Sequence, residues 1–349
     1  MRTLQRFLAF LLLIVCDASL NAQAKTDAAP IIAVVESSLP SAAGHIRQFA
    51  FDGDADTYFA SAKNPGISDY FTLIFDKPVA VKSIVVITDK LIAGALEVSA
   101  DGKKFEVLTK FTDGKATAKL ERKMIQAVRV MPGEMKQPLT IREFAIESDP
   151  PVAVFEYPIE FTVDVTDAPE MKEWAEKAAR ICEREYAMLN DELKSDGFKP
   201  RTEISMTLKK DYKGVAAAGD GKITGSATFF KTHPDDIGAM VHETAHIVQS
   251  YRTRNNPGWL VEGVADYVRF FKYEPGRIGR INADRAKYDG SYRVTAAFLA
   301  YVTDKYDKDL VKKLNKVMRE GEYKEEIWKM LTKKTLQDLG DEWKTSLRK

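Results

Sequence analysis

The hydrophobic period of this chain changes once, at Asp149-Pro150-Pro151. Before it, from about residue 31 to 148, short runs are rich in Val, Ile and Phe. They include Phe71-Thr72-Leu73-Ile74-Phe75, Val79 to Thr88, Leu96-Glu97-Val98-Ser99, Phe105-Glu106-Val107-Leu108, Ala127-Val128-Arg129-Val130 and Ile141 to Ile146. Gly, Asp, Pro and Asn punctuate them, which is the pattern of a β-sandwich. No stretch there carries a helical period. After the two prolines, Trp174, Ala178, Ile181, Tyr186 and Leu189 recur at helical spacing, predicting a helix from about Asp167 to Leu193. Consecutive prolines force extended backbone and stop a helix. Two periods in 349 residues require two cores. The expected organisation is a multidomain chain: residues 25–150 all β, and residues 151–349 α+β.

Within the second part, strands are expected at Phe155 to Val165, Ile204 to Leu208 and Lys222 to Phe230. Gly214 to Gly221 reads as a mobile loop. Lys222 to Phe230 directly precedes the motif described below, where it is either an edge strand that pairs with a peptide or an internal strand. Thr232-His233-Pro234-Asp235-Asp236 is expected to cap the helix that follows. His45 and His233 read as structural. Residues 310–349 read as two or three amphipathic helices that pack through Leu314, Val317, Ile327, Trp328, Leu331 and Trp343.

A net charge of +1 offers no bulk attraction to nucleic acid, and no basic motif supplies one. Residues 1–24 read as a signal peptide: Arg2 and Arg6, then apolar Phe7 to Val15, then Ala22-Gln23-Ala24. The apolar run is too short for a permanent membrane span. Cys16 allows a lipoprotein reading, ranked below simple cleavage. The expected location is secreted, periplasmic or at the cell surface. After cleavage only Cys182 remains, so no internal disulfide can form, and a buried thiol is expected.

The chemistry is concentrated in Val241-His242-Glu243-Thr244-Ala245-His246-Ile247-Val248-Gln249. His242 and His246 are four apart, so on a helix both rings leave one face about 5.4 Å apart. That spacing lets two neutral nitrogens reach one tetrahedral Zn²⁺. Glu243 can reach a water on the metal without ligating it, as a general base. The Asn255-Asn256-Pro257-Gly258 turn lets a second helix return antiparallel. It carries Glu262, a candidate third ligand. It also carries Asp266, which could fix the tautomer of a ligand histidine. Gln249 is expected to brace the ligand helix. Tyr292 is a candidate for stabilising an oxyanion, or packs its ring in a helix interface.

The Glu-x-x-x-Asp spacing resembles the gluzincins, the thermolysin-like peptidases. A closer resemblance is to the basic secretory protein family of plants and bacteria, zinc peptidases with "H-E-x-x-H-x-x-Q", then "G-x-x-E-G-x-A-D-Y-V-R", then "G-Y-x-x-T-A-x-F-L". Here these are His242 to Gln249, Gly258 to Arg269 with one residue extra, and Gly290 to Leu299 with Ser291 inserted. This resemblance spans about 155–345 and implies a zincin-like metallopeptidase domain acting on protein or peptide. The N-terminal half resembles the discoidin or coagulation-factor type C domains. The likeness rests on Phe51 to Phe59, Tyr70 to Asp76, Leu96 to Gly102 and Arg142 to Glu147. It implies a galactose-binding-like jelly roll, with glycans as one class of partner. It also implies a structural Ca²⁺ at Asp52, Asp54, Thr57 and Glu147, whose alternative is a solvated turn. The expected function is a secreted zinc metallopeptidase with an accessory sandwich. The alternatives are a mucin- or glycoprotein-directed peptidase and an inactive carbohydrate-binding adhesin.

Overall fold

The computed structural model describes residues 31–348, apart from 90, 91 and 254. The expected signal peptide, with Cys16, lies outside the described residues. No described helix is long and apolar enough to cross a membrane.

The N-terminal half is built from β1 (Ala33–Ser37), β2 (Phe59–Ala60), β3 (Phe71–Ile87), β4 (Ala95–Ser99), β5 (Glu106–Lys110), β6 (Lys115–Met131), β7 (Thr140–Ile141) and β8 (Glu143–Asp149). β3 is the spine. One edge takes β6 along most of its length. The other takes β1 at Phe71–Phe75, then β8 at Ala80–Ile87. β4 pairs the far side of β6, and β5 pairs β4, all antiparallel. β2 and β7 form a separate ribbon. Alternation aims Leu73, Val79, Val81, Ile84, Val86, Val128, Val130 and Phe144 into one core. This is the mostly-β domain that the period-2 runs predict. The His45 ring stacks 4.2 Å from that of Tyr58.

After Pro151 the chain still pairs with this half: Ala153 N–H donates to Ile31 O, and Phe155 N–H to Phe51 O. The second half then opens with β9 (Glu160–Asp164), crosses over through α1 (Lys172–Glu192) and returns as β10 (Glu203–Lys209), parallel to β9. α1 buries Ala175, Ala178, Ala179, Cys182, Tyr186 and Leu189 at helical spacing. Burial pushes the Cys182 thiol up to about 12, so it is an inert core group.

β11 (Ala216–Gly219) and β12 (Lys222–Ser226) complete a sheet ordered β11-β12-β10-β9. Two expectations fail here. Gly214 to Gly221 is not merely a loop, because Ala216–Gly219 pairs antiparallel with Gly225–Lys222 and forms the sheet edge. Lys222 to Phe230 is not one strand. It ends at Ser226, whose Oγ accepts from Phe229 N at 3.2 Å and starts α2 (Ala227–Thr232).

α3 (Gly238–Gln249) and α4 (Gly258–Val268) follow as an antiparallel pair, then α5 (Tyr292–Lys305). Gly263 is required where α4 meets α5: a Cβ there would lie 2.1 Å from Thr295 Cγ2. α6 (Leu310–Glu320), α7 (Glu326–Thr332) and α8 (Leu336–Ser346) close the domain. They bury Leu314, Ile327, Trp328 and Trp343, with Val317 and Leu331 packed alongside. The acidic cap expected on α3 is absent. Its N-cap is Ile237, without a side-chain bond. Asp236 instead pairs with Arg269, which also holds Glu274 at 2.6 Å. His233 ends α2, stacked 4.3 Å from Phe229.

Candidate metal centre and its cleft

α3 is buried on nearly every side, and the two histidines emerge from the face that meets α4. His242 Nε2 and His246 Nε2 lie 3.0 Å apart. Glu262 Oε2, reaching back from α4, is 3.2 Å from the first and 3.3 Å from the second. These atoms form the one such group of potential metal-binding side chains among the described residues. A tetrahedral ion with bonds of about 2.0–2.1 Å requires donor–donor edges of about 3.3–3.4 Å, so the triangle is close to the required size.

The outer nitrogens are also held. His242 Nδ1 is 2.6 Å from Asp266 Oδ1, and His246 Nδ1 is 2.8 Å from Gln249 Oε1. Both partners are acceptors there, so each Nδ1 keeps a proton, and each Nε2 is the nitrogen left to lose its proton and offer a lone pair to an incoming metal. Gln249 spends its amide on Val261 O at 2.9 Å, tying the end of α3 to α4. Four residues read from sequence as a unit, His242, His246, Glu262 and Asp266, are thus brought together, and Gln249 braces them.

The electrostatics favour positive charge at this point. Burial opposes a proton on His242, yet Asp266 and Glu262 outweigh it and hold the ring at about 9. Burial would raise Glu262, but the two histidines bring it down to about 2. A pocket that stabilises a cation, and whose inward nitrogens can give up a proton to one, fits a metal ion. Asp266→Asn is expected to lower metal affinity about 10- to 100-fold by loosening the tautomer, as read by titration with a competing chelator. Unchanged affinity would make Asp266 a packing group.

Glu243 is buried beside the triangle, and burial raises its pKa. The Ala218 amide of β11 lies against its carboxylate. Tyr292 opens α5 with its ring centre 6.1 Å from that of His242, and is 55% exposed. Ser291 and Tyr292 both adopt left-handed backbone, with φ of 62° and 47°. Two adjacent non-glycine residues in that region cost on the order of 1–3 kcal/mol each. The strain falls where the chain enters α5 and brings the Tyr292 ring beside His242. All of these groups line one cleft of about 1080 Å³, with β11 along its wall.

The acidic loop of the N-terminal half comes together only in part. Thr57 Oγ1 lies 2.8 Å from Asp52 Oδ2 and donates to Asp54 O at 3.0 Å. Glu147 does not join them. It is exposed and pairs with Lys82 at 3.2 Å. The carboxyl that faces the loop is Glu143: burial, then the Asp52 charge, raise it to about 7, and the Gly53 amide lies against it. Glu147 therefore stands apart from Asp52, Asp54 and Thr57, contrary to the expected calcium set, and among the described residues no His, Cys, Asp or Glu group at this loop converges as a metal site would require.

A family model described as "Peptidase of plants and bacteria" matches residues 160–343, from β9 into α8. The chain belongs to this peptidase family. The match takes in every residue of the metal centre and all of the cleft wall. The N-terminal half lies outside it. Solved structures similar to parts of the chain include CBM32-1 from a family 31 glycoside hydrolase of Clostridium perfringens. It is 15% identical over 33% of this chain and 92% of the module, with a TM-score of 0.29. A pectin-binding carbohydrate-binding module is 20% identical over 34% of this chain and 92% of its own, at 0.27. Chitosan-binding module 2 of a Paenibacillus sp. IK-5 chitosanase/glucanase is 18% identical over 32% and 93%, at 0.29. No curated protein matches the chain.

Proposed function

We propose that this peptidase is a secreted, zinc-dependent metallopeptidase of zincin-like, gluzincin type. The observation that carries the reading is the inward-facing triangle of His242, His246 and Glu262 in a cleft beside a sheet edge. Two imidazoles and one carboxylate at tetrahedral spacing favour Zn²⁺ among common ions. Bound there, the ion supplies Lewis acidity to the scissile carbonyl and to a water.

The chain's own residues do the rest. Asp266 and Gln249 keep both Nε2 lone pairs aimed inward. Glu243 takes a proton from the attacking water on its carboxylate and returns it to the leaving nitrogen. A raised pKa suits that role, because the group must hold the proton between the two transfers. β11 is an edge strand, so its outer face can take the substrate as an added strand through main-chain hydrogen bonds. Tyr292 acts in this reading as the donor to a developing oxyanion, supported by its ring lying 6.1 Å from that of His242. Tyr292→Phe is expected to lower kcat roughly 10²-fold with little change in KM. A kcat close to that of the unaltered chain would leave Tyr292 a packing role only.

The substrate is a protein or peptide. The N-terminal half serves as an accessory binding domain, with glycans proposed from its discoidin-like motifs, and residues 1–24 direct export. A cleavage screen of peptides and glycoproteins, with Glu243→Gln as blank, tests the reading. Chelator-sensitive cleavage supports it, and cleavage that persists in the blank contradicts it.

A further inference from the structure

We propose that the cleft continues past the end of α3 into a cationic subsite that takes a carboxylate of the peptide. This rests on the peptidase reading above. α3 is capped by Ser250, whose φ of 47° turns the chain out of the helix. Arg252 follows at the junction of two cavities. The cleft and a second cavity of about 560 Å³ share Ser250 and Arg252 in their walls. Ser250 lies about 6 Å of helix rise beyond His246, a distance spanned by about two residues of extended peptide.

The second cavity is built around Arg319, near the end of α6. Its Nη2 donates to Val248 O at 2.7 Å, its Nε to Gln249 O at 3.1 Å, and its Nη1 to Ser195 Oγ. The guanidinium lies 3.7 Å from the Phe198 ring centre. Among the described residues no carboxylate forms an ion pair with it. A guanidinium carries five N–H groups, and these bonds use three. Burial brings its pKa down to about 10, as expected for a cation short of compensation.

Lys199 and Arg252 line the same cavity, both exposed, and neither has a partner among the described residues. Against these three cations stand Asp196, which Lys316 already matches at 3.6 Å, and Glu320. The cavity is therefore net positive and offers free donors, the chemistry that binds a carboxylate. The peptide can supply it from an acidic side chain or from its C-terminus.

The test uses full-length Glu243→Gln protein and fluorescent alanine-rich decapeptides. Each carries one Asp at successive positions, matched to its Asn counterpart, with a free or amidated C-terminus. The carboxylate form of one pair should bind about 10- to 100-fold more tightly, and Arg252→Glu or Lys199→Glu should bring that ratio toward one. The sensitive pair identifies the source: Asp against Asn for a side chain, acid against amide for the terminus. Thermal melts check that the variants fold. Equal binding of every matched pair, no measurable binding of any peptide, or a ratio that survives both folded reversals would overturn the proposal. Carboxylate preference in a protein whose unaltered form cleaves nothing would sink the peptidase reading and leave the subsite standing.

Discussion

Glu243→Gln is expected to lower peptide hydrolysis by roughly 10²- to 10⁴-fold while bound metal stays unchanged. Gln keeps the size of the side chain, so the buried position beside His242 does not collapse. It cannot take a proton, and at most one atom of its amide can still accept from Ala218 N–H. The triangle of His242, His246 and Glu262 does not include Glu243, so metal binding has no reason to weaken. Hydrolysis and metal content measured on the same preparation separate the roles. Near-full activity would remove Glu243 as the base. Joint loss of metal would make it a ligand.

Arg47→Met is expected to cost about 3–5 kcal/mol, the usual effect of leaving buried carboxylates without their cation. Arg47 comes from the N-terminal half and reaches Glu160 at 3.3 Å and Glu183 at 3.2 Å in the peptidase domain. All three side chains are at most 13% exposed. Arg180 still reaches Glu183 at 2.9 Å, so Glu160 suffers most. Burial already holds the Glu183 carboxyl above its ordinary range, offset in part by Arg47 and the Phe161 amide. A carboxyl with a raised folded pKa binds protons more strongly in the folded state. Its contribution to stability is present at low pH and is lost as pH rises through the raised value. Removing Arg47 raises it further, so the deficit of the variant should shrink as pH falls from about 8 toward 5. Urea midpoints across that range check this. A deficit independent of pH, or none at all, would mean that this cluster does not hold the two halves together.

The metal centre was legible because it is local. Two histidines at helical spacing, a Gly/Asn/Pro turn and a glutamate on the returning helix need only helix geometry to be assembled. What was not legible depended on partners distant in sequence. Ala216–Gly219 has the composition of a loop, and becomes a strand only because β12 offers it a ladder. The alternation of Lys222 to Phe230 hid a helix start, although Ser226 three residues before Phe229 was a usable capping signal. Glu143 and Glu147 are an even number apart on β8 and share a face, so strand period could not choose between them. The fold sets Glu143, not Glu147, against Gly53 in the acidic loop. Arg47 gave no local sign of its partners, which lie 113 and 136 residues away.

His242, His246 and Glu262 are proposed to hold one catalytic zinc. Elemental analysis of purified full-length protein, dialysed against trace zinc, tests it directly when paired with Glu262→Ala and Asp266→Ala. Close to one zinc per chain is expected, with Glu262→Ala losing far more affinity than Asp266→Ala. A folded protein that takes up no stoichiometric metal, or equal losses in the two variants, would contradict it.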